Sequence, residues 1–105
     1  MHIIDTHCDA LWKMQMARRG MMYEGPLDFR NASELDTNLK RLKVGGVKVQ
    51  FFAVFLLPDV PSDEQWQHAL EQVDIFYTEI LGKNPEIKQI RDFSDINKLK
   101  DGEIG

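Results

Sequence analysis

Gly45-Gly46-Val47-Lys48-Val49-Gln50-Phe51-Phe52-Ala53-Val54-Phe55 is the stretch on which the fold turns. Valine and phenylalanine crowd this run, and past Gln50 both parities are apolar, so the residues predict a strand from Val47 to Phe55 covered on both faces. Strands of that kind belong to parallel sheets, where crossover helices lie on either side. The two glycines supply the positive φ at which a preceding helix ends. Pro58 and Pro61 close the strand and open a loop.

Working outward from this strand, Asp36 or Thr37 offers an N-cap for a short amphipathic helix carrying Leu39, Leu42 and Val44. Gly20, Gly25 and Pro26 mark a loop over residues 20–31, and Ala10 to Arg18 reads as a helix with Leu11, Met14 and Ala17 on one face. Downstream, Ser62 and Gln65 have capping-box spacing. Trp66, Ala69, Leu70, Val73, Phe76, Tyr77 and Ile80 then keep the helical period up to Gly82, and Asn84-Pro85 breaks it. Glu86 to Ile90 reads as extended, Ser94 as the cap of a small helix holding Ile96 and Leu99, and Asp101-Gly102 as a turn. Glu103-Ile104-Gly105 has the look of another strand's first step. With an opening strand from Ile3 to Thr6 or His7, strands and helices alternate, which predicts a parallel α/β sheet with right-handed crossovers. Two full strands and one begun cannot cover their own edges. Residues 1–105 are therefore expected to form one partial domain, the opening of something larger.

Composition narrows the function classes. The 105 residues are 43% hydrophobic and 29% charged, with a formal charge of -4 and basic residues scattered along the chain. No phosphate-tracking stripe results, so nucleic acid is not an expected partner. The longest apolar run, Val47 to Leu57, is interrupted by Lys48 and Gln50 and falls short of the roughly 20 residues of a membrane helix. A single cysteine and the absence of a charged-then-apolar leader point to a cytoplasmic protein.

Chemistry concentrates in Ile3-Ile4-Asp5-Thr6-His7-Cys8-Asp9. Side chains alternate along a strand, so His7 and Asp9 are expected on one side and Cys8 on the other. An imidazole nitrogen and a carboxylate oxygen placed this way can grip one divalent cation. The plainer alternative makes Asp9 a helix cap and His7 a hydrogen-bonded core histidine. Position favours the metal, because ligands in α/β proteins bind at the carboxyl ends of parallel strands. Cys8 reads as a small buried hydrophobe. Asp5 is either a partner that orients His7 or a structural hydrogen-bonder. His68 is placed on the solvent side of its helix, and His2 at the strand end remote from His7. Gln50 and Lys48 share a face, as polar plugs or with Gln50 toward the site. Phe51, Phe52 and Phe55 read as core. There is no Gly-rich phosphate loop, CxxC or HExxH.

Two stretches together, Ile3-Ile4-Asp5-Thr6-His7-Cys8-Asp9 and Leu39-Lys40-Arg41-Leu42-Lys43-Val44-Gly45-Gly46-Val47-Lys48-Val49-Gln50-Phe51-Phe52-Ala53-Val54-Phe55, resemble the membrane (renal) dipeptidase family. Residues 69–105 are similar to bacterial members. His-x-Asp alone is shared across the amidohydrolase superfamily, including metal-dependent deoxyribonucleases and cyclic amidases; the Gly-Gly-Val segment ending in Gln50-Phe51-Phe52 narrows it to the dipeptidases. The resemblance implies the first two βα units and the start of the third strand of a (β/α)8 TIM barrel, with a two-zinc site that hydrolyses dipeptides. It assigns His7 and Asp9 to one zinc. The family's bridging glutamate, second-metal histidines and proton-handling aspartate lie beyond the third strand; Glu103 precedes the bridging position. These 105 residues alone are thus expected to be inactive. The reading of another class is a non-catalytic α/β module that self-associates through its exposed strand edges.

Overall fold

The computed structural model describes residues 2–105. β1 (Ile3–Asp5) leads through a four-residue connection into α1 (Ala10–Arg18); a long loop then reaches α2 (Leu39–Gly45) and β2 (Val47–Gln50). A second loop precedes α3 (Gln65–Ile75), which runs on as a π-helical segment (Phe76–Leu81), and α4 (Phe93–Asn97) follows. β1 and β2 pair in parallel, with Asp5 opposite Gln50 and an irregularity between Ile3 and Ile4. On the far edge of β2, Gly105 exchanges backbone hydrogen bonds with Lys48 and Gln50, at 2.9 Å each. Ile104 in turn forms a parallel bridge to Ile87. The expected parallel α/β arrangement is therefore present as a two-stranded sheet, with Ile104 and Gly105 making strand-like backbone contacts beside it.

The strands are shorter than their apolar runs. β1 stops at Asp5, before Thr6 and His7, and β2 stops at Gln50 instead of continuing to Phe55. The backbones stay in touch beyond those ends: Phe51 N donates to the Asp5 carbonyl and Ala53 N to the Cys8 carbonyl. Three residues on the first segment thus span two on the second, and that mismatch ends the regular ladder. Phe51 and Phe55 are exposed, so the run is not covered on both faces. Phe52 does enter the core, stacking at 5.5 Å between Phe29 and Phe76.

Helix starts also differ from expectation. Asn38, not Asp36 or Thr37, caps α2: its side-chain oxygen accepts from Arg41 N at 2.8 Å, and its amide gives a hydrogen bond to the Ala32 carbonyl. Asp36 instead holds Lys13 of α1 at 2.7 Å. Gly46 ends α2 at φ 73°, as the glycine pair implied. Ser62 makes no capping box; Glu64 occupies the cap of α3 without a side-chain bond. Asp92, not Ser94, caps α4, in a capping box with Asp95.

Burial on α3 and the π-helical segment follows the hydrophobic stripe only in part: Phe76 packs against the core and Ile80 is sealed in it. Trp66, Leu70, Val73 and Tyr77 are exposed, Trp66 at 74%, while Gln72 and Ile75 are sealed against α1. A chain of amides explains the choice of face. Gln72 Oε1 accepts from Phe55 N at 2.9 Å, and its Nε2 donates to the Phe55 carbonyl and to Gln15 Oε1. Gln15 Nε2 donates to the His68 backbone carbonyl at 3.0 Å, and His68 is half-buried where full exposure was expected. Val73 and Tyr77 of the stripe line a groove of about 680 Å³ with Val54, Ile90, Phe93 and Ile96. No helix among the described residues is long and apolar enough to cross a membrane.

Two outcomes follow from these contacts. Gln72→Ala leaves the buried Gln15 oxygen and the half-buried Phe55 amide and carbonyl without their partner, and unmet buried groups cost about 1–3 kcal/mol each. Urea unfolding is expected to show a loss of roughly 3 kcal/mol; a loss below about 1 would mean that the amides are not coupled. Glu86 bridges Arg30 at 2.8 Å and Lys43 at 2.9 Å, and these hydrogen bonds, Arg30's first, lower its pKa from 4.5 to about 2. Because the folded value lies below the unfolded one, the stabilisation is whole above pH 4.5 and disappears as pH falls toward 2. Acid unfolding of Glu86→Gln, followed by circular dichroism, is expected to show a flatter fall across that window than the unsubstituted chain.

Candidate metal centre

The site grows out of the turn between β1 and α1. Ala10, Leu11, Met14 and Ala17 pull α1 into the core, and Cys8 goes with them, only 6% exposed. Burial pushes the Cys8 thiol above its usual range, as expected of a thiol held where a thiolate is poorly solvated. Cys8 is thus the small buried hydrophobe anticipated, and its neighbours on either side are forced outward. The side chains of His7 and Asp9 are 61% and 44% exposed, and His7 Nε2 lies 3.1 Å from Asp9 Oδ1.

Asp9 stands at the N-cap of α1 yet makes no side-chain bond to the helix. Its carboxylate is committed to the imidazole instead, and His7 is not a core histidine. The plainer reading of both residues therefore fails on geometry. The convergence does not arise by strict strand alternation, since β1 has ended by Asp5. It arises because burial of Cys8 fixes the intervening residue inward.

Among the described residues, Asp5 makes no side-chain hydrogen bond to His7; its carbonyl serves Phe51. No group of three or more His, Cys, Asp and Glu side chains among them is arranged to hold a metal. Trp12, in the first turn of α1, meets Phe55 edge-on at 5.6 Å, joining the helix to the loop beyond β2. Gln50 is 5% exposed. Its Nε2 donates to the Phe51 carbonyl at 3.0 Å, while its Oε1 is buried without a partner. The buried amides of Gln15, Gln72 and Asn84 were not singled out from sequence. The position of Gln72 on the polar flank of an apolar stripe carried no signal of their role.

The donor set suits a divalent cation of zinc's kind. Imidazole nitrogen and carboxylate oxygen are both ordinary zinc ligands, and two such atoms already face one another. The set supplies two of the three or four protein ligands that zinc takes. A family model describing the membrane dipeptidases, peptidase family M19, matches residues 1–105. With that match spanning every residue that builds the site, the chain belongs to the membrane dipeptidase family.

Proposed function

We propose that this chain carries the first two ligands of a binuclear zinc centre in a dipeptide-hydrolysing enzyme of the cytoplasm. His7 and Asp9 would hold one zinc, and the two βα units with the begun third strand are the first part of a (β/α)8 barrel. The observation that carries this reading is the 3.1 Å approach of His7 Nε2 to Asp9 Oδ1 past the carboxyl end of β1. That is where parallel α/β proteins and barrels place their chemistry.

Zinc would supply an activated water and a polarised scissile carbonyl. This chain's own residues do the positioning. The buried Cys8 and Leu11 hold the turn, Lys13 ties α1 to Asp36, and Ala53 N anchors the Cys8 carbonyl at 3.1 Å. His7 and Asp9 are thereby presented together from a short, braced segment. Two ligands leave the centre incomplete, so these 105 residues alone turn over no dipeptide.

A second reading has its own observation. β1 is an edge strand with Ile3 and Ile4 exposed, and open edges pair with other chains. On that reading residues 1–105 work by association without catalysis.

One experiment separates the two. Zinc is titrated into the chain while the histidine ring resonances are followed by NMR, and a dipeptide panel is assayed in the same samples. The metal reading expects His7 to shift ahead of His2 and His68, His7→Ala and Asp9→Asn to weaken binding at least tenfold, and no hydrolysis. Equal shifts at all three histidines would contradict the site, and turnover abolished by His7→Ala would contradict the stated inactivity.

A further inference from the structure

Gln50 is the one buried side chain among the described residues left with a polar atom unpartnered. A buried carbonyl oxygen without a donor destabilises the fold, and an apolar side chain of the same shape would remove that cost. Its place in the sheet suggests what the oxygen is kept for. Gln50 stands opposite Asp5 in the parallel register, at the last rung before the chain turns through His7 and Asp9. The carboxamide also leans toward the carboxyl end of β2, where its Nε2 is fixed on the Phe51 carbonyl. That bond orients the group, and the oxygen is its one polar atom left without a partner.

We propose that Gln50 is a positioning residue of the metal centre, its Oε1 reserved as acceptor for a proton donor of the occupied site. The inference rests on the metal reading above and deepens it. The donor that this chain itself brings is the ring N–H of His7. A histidine that turns one nitrogen to a cation presents the other as a donor, and an acceptor there fixes tautomer and ring orientation. Nε2 is the nitrogen that faces Asp9, so the free donor is on Nδ1. Gln50 touches no reacting atom in this account; it acts through the histidine.

The role makes stability and metal affinity move in opposite directions, which a merely structural glutamine would not do. Gln50→Met is a near-isosteric apolar change, and Gln50→Glu keeps an acceptor at the cost of a buried charge. Thermal unfolding without metal and zinc titration read at the His7 ring are measured on the unsubstituted chain and on both variants. Gln50→Met is expected to melt no lower than the unsubstituted chain yet bind zinc about tenfold more weakly, the usual size of such an outer contact. Gln50→Glu is expected to melt lower yet keep its zinc affinity. Unchanged affinity in Gln50→Met overturns the inference while leaving His7 and Asp9 as ligands. Should Gln50→Met fail to fold, a tenfold loss in Gln50→Glu overturns it equally. Failure of zinc to shift His7 in the unsubstituted chain defeats the metal reading and this inference with it.

Discussion

Burial of Cys8 is the constraint from which the rest of the site follows. α1 begins at Ala10 and must bring Ala10, Leu11, Met14 and Ala17 against the core. The turn from β1 is only four residues long, so the residue between His7 and Asp9 has nowhere to go but inward. A small, weakly polar side chain fits there; a charged one would be heavily penalised. Its two neighbours are ejected to the same side and meet at 3.1 Å. The His7–Asp9 pair is therefore a product of core packing, and it sits on a segment braced by hydrogen bonds from the β2 side.

The same packing accounts for the polar groups inside. Gln15 and Gln72 form a buried amide chain that stitches α1, α3 and the loop at Phe55. Each amide is engaged at both ends, which is the condition under which buried polarity is tolerable. Asn84 does similar work at the end of the π-helical segment, giving its amide protons to the Glu79 and Ile80 carbonyls and accepting from Arg30. Gln50 departs from that pattern, which is why its free oxygen points to function more than to folding.

Much of the fold was legible from local signals. The double glycine at 45–46, the Asn84-Pro85 break and the Val47–Phe55 run placed α2, the end of the long helix and the start of β2, though β2 stops at Gln50. The extended end at Glu103–Gly105 was visible too, and Ile104 and Gly105 do make backbone hydrogen bonds to Glu86 and Lys48. Less legible was anything decided by a distant partner. The capping spacing of Ser62 with Gln65 was outweighed by the course of the loop at Val60, whose carbonyl takes the Gln65 amide. The stripe from Trp66 to Ile80 had the right period and its end, Phe76 and Ile80, does pack inward, yet α3 turned its glutamine face to α1 because Gln15 and Phe55 offered it four hydrogen-bonding groups. No periodicity reports such an exchange. In the site, the pairing of His7 with Asp9 was readable, though for a reason that alternation alone does not supply: the strand ends early and Cys8 packs.

X-ray absorption at the zinc edge tests most directly whether the core takes the sulfur and leaves the imidazole and carboxylate to the metal. With one equivalent of zinc bound to the chain, the account expects only nitrogen and oxygen neighbours, at about 2.0–2.2 Å, and no sulfur shell. A sulfur scatterer near 2.3 Å would place Cys8 on the metal and contradict the account.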